Sequence, residues 1–217
     1  MDFDLNLFLE SIPLLLKGAQ TTAVLSIITI VLSIALGILG GLARVSGIAF
    51  LNHAMFTYVT VMRGVPLLVT LLFLYYGLPS MGLVMEGLTV AVIALSITNA
   101  AYITEIVRAA IQAVDPGQMK AARALGMSGF LAMRRVVLPQ ALRNVLPPLT
   151  NESITILKNT SLVSVIAVPD LLRAGMDIMT WRANTFSPFA GVALAYLLMS
   201  LPLIGLTIYF EKRWGRR

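Results

Sequence analysis

The sequence contains no cysteine and a single histidine, His53. Disulfides, thiolate nucleophiles and cysteine-based zinc sites are thereby excluded. One histidine cannot build a multi-histidine metal centre, so His53 reads as an ordinary polar residue at an interface. Charge is also scarce. Only 12% of the 217 residues are Asp, Glu, Lys or Arg, against about 25% in a soluble domain. Hydrophobic residues make up 58%, and the mean hydropathy is +0.89. These values exclude a soluble globule, a disordered tail and a nucleic-acid module, and they point to an integral membrane protein. At about 20 residues per span there is room for several crossings and for no sizeable soluble domain beside them. Residues 1–217 therefore read as one transmembrane domain. A basic leader is missing too: Asp2, Asp4 and Glu10 make the N-terminus acidic, and no secretory signal is expected there.

What is present is a series of five hydrophobic segments. The first covers about Gly18 to Ala43 and is uncharged; Gly37 and Gly41 give it a G-x-x-x-G pattern suited to close helix packing. The second, Leu51 to Tyr76, is interrupted by Arg63-Gly64-Val65-Pro66 and is expected to break there, because Pro66 removes a backbone donor and Gly64 permits a bend. The third runs from Leu88 to about Val107. The fourth, Ala141 to Val165, is the least apolar and carries Pro147, Pro148, Asn151, Glu152 and Lys158. The fifth, Phe189 to Phe210, is uncharged. An odd number of spans puts the termini on opposite sides. With the N-terminus outside, the inner segments hold Arg44, Arg63, Arg108, Lys120, Arg123, Arg134, Arg135, Arg143, Lys212, Arg213, Arg216 and Arg217, which is 12 of the 16 Lys and Arg residues. The positive-inside rule selects this orientation, with a cytoplasmic C-terminus. The net charge of +6 therefore reports topology and gives no reason to invoke a nucleic-acid partner. Segment 168–188 then falls on the outer face as a short mixed element.

The inner stretch between the third and fourth segments, about 115–139, has strong local punctuation. Asp115 suits an N-cap, Pro116 the first helical position and Gly126 the residue just past a helix end. A helix of about ten residues is predicted between them, followed by a second one capped by Ser128. Small Ala121 and Ala122 would allow close approach of another protein. The chain has no G-x-x-x-x-G-K-[ST] loop for ATP phosphates. Any energy input would have to reach it through a partner.

This stretch resembles the EAA loop of ABC importer permeases. Ala121 and Ala122 are followed by three residues, Gly126, nine residues, and Val136-Val137-Leu138-Pro139. Lys120 stands in place of the usual Glu and Val136 in place of Ile, with the spacing kept. Arg63-Gly64-Val65-Pro66-Leu67-Leu68, Asn99-Ala100-Ala101-Tyr102, Glu105-Ile106-Val107-Arg108-Ala109, Asn151-Glu152 and Lys158-Asn159-Thr160-Ser161-Leu162 resemble the polar amino-acid uptake branch, so the likeness covers nearly the whole chain. The resemblance implies an all-α, five-span, type I importer (MetI-like) permease in a bacterial inner membrane. It implies a homo- or heterodimer with a second permease chain, a pair of ATP-binding cassette ATPases that bind ATP and Mg, and an extracytoplasmic amino-acid-binding protein. Gln118, Lys120, Ala121, Ala122, Leu125, Gly126 and Met127 are the residues implied for coupling to the ATPase. No catalytic residue and no cofactor are implied for this chain.

Candidate residues for the substrate path follow from cost and geometry. Glu152 and Lys158 are charges inside a span, where a charge costs a few kcal/mol and is functional by default. Glu152, Thr155 and Asn159 lie at i, i+3 and i+7 and share one helix face. A zwitterionic amino acid needs an acceptor for its ammonium, which Glu152 supplies, and donors for its carboxylate, for which Thr155, Lys158 and Asn159 are candidates. Asn99 and Tyr102, three apart, are candidates for the same path. Structural pairing within a dimer or between helices is the competing reading for each. Relatives that import basic amino acids often carry an acidic residue after this lysine, so the neutral Asn159 favours neutral polar or acidic substrates. The C-terminal Lys212-Arg213-Trp214-Gly215-Arg216-Arg217 reads as an interfacial anchor, with anionic membrane lipid as a secondary partner. Two other classes compete with the permease: an intramembrane enzyme, for which no nucleophile–base pair is visible, and a non-transporting scaffold or sensor.

Overall fold

The computed structural model describes residues Phe3–Trp214, in which every regular element is helical. Asp2, Arg216 and Arg217 of the terminal charge clusters lie outside the described residues. Helix α1 spans Leu5–Val45, 41 residues, about 60 Å of rise. It begins well before the expected Gly18. Asp4 caps it by accepting from the Asn6 and Leu7 amides at 2.9 and 3.1 Å, and the helix runs on through Pro13 and Lys17. Helix α2 (Ala49–Gly64) and helix α3 (Leu67–Leu72, continued by tighter and wider turns to Met81) form a pair bent by 98°. Helix α4 covers Gly87–Gln112, α5 Pro116–Ala124, α6 Gly129–Ala132 and α7 Leu138–Asn159. A 3₁₀ stretch, Thr160–Ile166, leads to α8 (Leu171–Arg182) and then to α9 (Phe186–Trp214).

Five spans were expected, the fourth the least apolar; by length and composition the helices account for fewer. Among the described residues three helices, α1, α4 and α9, are long and apolar enough to cross a membrane, and the bent pair α2–α3 makes up to four. Helix α7 fails on composition and not on length. Its 22 residues include Arg143, Asn144, Asn151, Glu152 and Lys158 besides three prolines.

The break in the second segment falls where expected, for a reason that partly differs. Gly64 remains the last helical residue and has no positive φ. Val65 and Pro66 are extended, at φ/ψ of −99°/129° and −57°/136°. A residue before proline is pushed out of the helical region by the ring, so the turn is made by Val65-Pro66.

Helix α4 is the central element and packs lengthwise on α1. Small residues make that seam. A Cβ built on Gly37 would lie 2.4 Å from Ile103, one on Gly40 2.3 Å from Thr104, and one on Gly41 2.5 Å from Val107. Below the seam, Ile103, Val107 and Ile111 continue into a core with Val137, Val145 and Ile156 of the α6–α7 arm. At the other end, Leu7 and Leu15 pack on Leu171, Ile178 and Val192. There Asp170, fully buried, caps α8 by accepting from the Leu172 and Arg173 amides at 3.3 and 2.9 Å. Burial pushes its carboxyl up to about 6, with Tyr196 alongside as a hydrogen-bond donor.

Candidate functional site

Where α2 breaks, its end faces the middle of α4 and the second half of α7. The three enclose a cavity of about 340 Å³ lined by Arg63, Gly64, Val65, Pro66, Leu67, Thr98, Asn99, Tyr102, Glu152, Thr155 and Asn159. Five of the six residues singled out for a path, Asn99, Tyr102, Glu152, Thr155 and Asn159, converge there, together with all of Arg63, Gly64 and Pro66. Lys158 does not: its side chain is exposed and lies outside the lining. On a helix it points about 100° away from Asn159, so adjacency in sequence separates the two.

The lining carries both signs of charge. Glu152 is half-buried and shares the lining with Arg63. The two are not in ion-pair contact among the described residues. The Arg63 guanidinium lies over the Tyr102 ring, 5.3 Å from its centroid. Asn99 is 2% exposed and donates from Nδ2 to the Leu95 carbonyl at 2.6 Å, which leaves its Oδ1 as an acceptor. Thr155 donates to the Asn151 carbonyl at 3.2 Å and keeps its lone pairs. Thr98 also lines the cavity, and its buried Oγ1 has no protein partner. Two residues were thus missed: Thr98, whose hydroxyl has no distinguishing pattern within an apolar helix, and Arg63 as a charge facing Glu152, which only the 98° bend brings about.

One step along α4 lies a network that ties the same helices together. Glu105 accepts from Arg44 at 3.4 Å and from Arg108 at 2.7 Å. Arg44 also bonds the Asn52 side chain and lies 5.2 Å from the Phe56 ring centroid. Arg63 lines the small cavity above this network as well as the larger one.

The predicted loop helix is present as α5. Asp115 Oδ1 accepts from the Gly117 amide at 2.7 Å, and Gly126 adopts φ +84°. The Met127 amide returns to the Ala122 carbonyl at 3.2 Å. Ser128 caps α6 by accepting from the Leu131 amide at 3.2 Å. Lys120, Ala121 and Gly126 are exposed, as is Leu125 at 80%, while Met127 is half-buried. Gln118 is exposed and accepts from Gln140 Nε2 of α7 at 3.2 Å. Ala122 is the exception. It is 3% exposed, so its small size serves packing within this chain and not the approach of another.

Comparison with known proteins places this architecture. Residues 33–216 match the family model of the binding-protein-dependent transport system inner membrane component. The chain is 36% identical over 215 residues to the glutamine transport system permease protein GlnP of Escherichia coli, covering 98% of each chain. The crystal structure of an amino acid ABC transporter with histidines aligns at TM-score 0.92 and 39% identity, over 98% of this chain and 100% of that one. An inward-facing structure of the MetNI methionine ABC transporter aligns at TM-score 0.80 over 94% of this chain and 98% of that one; at 18% identity it speaks for the fold alone. The chain belongs to the binding-protein-dependent transport system inner membrane component family, and it is a multi-pass inner-membrane permease subunit, itself non-catalytic, of an ABC-type amino-acid importer.

Proposed function

We propose that the cavity between α2, α4 and α7 is the amino-acid site on the translocation path, and that its substrate is a neutral polar amino acid such as glutamine. The observation that carries this reading is the presence of Arg63 and Glu152, opposite in charge and not in contact, in one cavity of about 340 Å³. A zwitterion fits between such groups: its ammonium meets Glu152 and its carboxylate meets the Arg63 guanidinium, a geometry that guanidinium groups favour. Asn99, Thr155 and Asn159 then meet the polar side chain, and Thr98 gains a partner for its hydroxyl. Neutral Asn159 offers no counter-charge to a basic side chain. The relative named for glutamine transport agrees with that class.

In this reading the whole chain works as one permease domain with five crossings, α7 being the fifth. Its polar face lines the path and is not in lipid, which explains its low hydropathy. The N-terminus lies outside and the α5 end faces the cytoplasm, by the positive-inside argument. An ATPase dimer grips α5 through Gln118, Lys120, Ala121, Leu125, Gly126 and Met127. A second permease chain, identical or similar, completes the path, and an extracytoplasmic binding protein delivers the substrate to the α8 side. The test is uptake of radiolabelled glutamine and arginine into proteoliposomes holding the complete importer. Wild type accumulates glutamine in preference to arginine, while Glu152→Gln and Arg63→Gln lose glutamine uptake with the ATPase still bound. Unchanged uptake in both variants would remove the cavity from the path.

A further inference from the structure

At the α5 end of the molecule a second cavity of about 420 Å³ opens between α1, α4 and the start of α7, away from the path. Its walls are Ile38 and Leu42 of α1, Ile111 of α4, and Leu138 and Leu142 of α7. Arg134 is the one charged residue in the lining. The groove is open sideways. Ile38 is 39% exposed, Leu42 36% and Leu142 56%, and the first two continue an exposed apolar stripe on α1 that includes Val31 and Leu39. Arg134 is exposed and in no ion pair among the described residues, and no acidic residue lines the groove with it. A π-helical turn, Met133–Val137, carries Arg134 at the point where the α6–α7 arm enters the spans. Wide turns of this kind recur at functional sites.

An apolar trough with one free guanidinium at its membrane-surface end is complementary to one class of molecule. We propose that this groove binds a single anionic phospholipid of the cytoplasmic leaflet, with its acyl chain along Leu138 and Leu142 and its phosphate on Arg134. The assignment of leaflet rests on the orientation given under Proposed function. Anionic headgroups concentrate on the cytoplasmic face, and basic pockets between spans on that side hold them. A guanidinium meets a phosphate through two parallel hydrogen bonds, which a zwitterionic lipid offers less well because its own cation competes. The groove touches α1, α4 and α7 together, so a bound lipid steadies the base of the arm that carries α5.

The experiment uses the full importer in nanodiscs of phosphatidylcholine. These are doped either with a phosphatidylglycerol carrying a photoactivatable acyl chain or with the matched phosphatidylcholine probe. After illumination, adducts are mapped by peptide mass spectrometry. The phosphatidylglycerol probe is expected to label peptides holding Leu138–Leu142 and Ile38–Leu42 well above the phosphatidylcholine probe. Arg134→Gln should lower that labelling about fivefold, the loss of one cation at an anionic membrane surface, and leave the phosphatidylcholine signal unchanged. Leu142→Trp, which fills the groove, should abolish the headgroup preference. Equal labelling by both probes would overturn the proposal in favour of ordinary surrounding lipid. So would absence of groove labelling, or a disulfide from Leu142→Cys to a second copy, which would show that protein covers the groove. Orientation is read separately: in a chain with no native cysteine, Lys120→Cys should react with a membrane-impermeant maleimide only in opened cells. Reaction in intact cells would overturn the leaflet assignment, whatever the probes label.

Discussion

The two sides of α4 are built by opposite rules. Toward α1 it is an interlocked seam, where Gly37, Gly40 and Gly41 accept Ile103, Thr104 and Val107 with no room for a Cβ. Toward the α2 break and α7 the same helix faces a cavity with two charges, exposed Tyr102 and an unpartnered Thr98 hydroxyl. A membrane helix gains little from lipid-like contacts, so it associates through close backbone approach and polar bonds. The seam takes the first route and holds one arrangement. The cavity side keeps two opposite charges, Arg63 and Glu152, apart in open space, whereas a buried unpartnered hydroxyl occurs on both sides, Thr98 in the cavity and Thr104 in the seam. The translocation path proposed above needs both, because a polar face that moves can work only against one that stays fixed.

The comparison is most easily broken from the seam. Gly41→Leu places a branched side chain where even a Cβ comes within 2.5 Å of Val107. Overpacking of this sort costs about 3 kcal/mol, and the variant is expected to be lost from the membrane or to aggregate on size-exclusion chromatography. The cavity side should respond in the other way. Glu152→Gln is expected to leave the folded complex intact and to lower glutamine uptake about 100-fold, the scale of one charge-assisted hydrogen bond at its upper end. Tight folding with lost transport on one side, and lost folding on the other, is the result that upholds the contrast.

Two further measurements sharpen it outside the spans. Gly126 sits at φ +84°, which a β-branched residue adopts only at a cost of about 1–2 kcal/mol. Gly126→Val should reduce substrate-stimulated ATP hydrolysis and co-purification of the ATPase, with the seam undisturbed in a thermal melt. The smallest effect belongs to Asp170. Its carboxyl stands at about 6 in the folded protein against 3.8 as the ordinary value, so the folded state holds the proton more tightly. The stability linked to that proton is complete below about 3.8 and is lost as pH rises through about 6. Wild type should therefore melt slightly higher at pH 5 than at pH 7.5, and Asp170→Asn should shrink that difference.

Legibility in the sequence followed the range of the interactions. The α5 ends were readable because capping is local: Asp115-Pro116 and Gly126 act on their immediate neighbours. The α7 face was readable because Glu152, Thr155 and Asn159 need only helical spacing to align. Arg63 read as the marker of a break, and its place opposite Glu152 depends on a 98° turn and on a helix some 90 residues later. Ala122 read as a contact for a partner because a small residue looks alike on either face of a helix, and only packing shows that it points inward. The start of α1 was hidden by Pro13 and Lys17, which resemble a boundary until Asp4 is seen to cap the helix.

The hydrogen bond from Gln140 to Gln118 fastens α5 to the first turn of α7. That makes α7 a lever arm with its handle in the loop. Glu152 lies 14 residues along it from Leu138, about 21 Å from the base of the helix at 1.5 Å per residue. A tilt of about 10° at the base then carries the Glu152 end sideways by about 3.5 Å, more than the length of a hydrogen bond. If an ATPase grips α5 as proposed, a modest rotation imposed there is enough to make or break every polar contact that α7 offers in the cavity, without any side chain changing its rotamer.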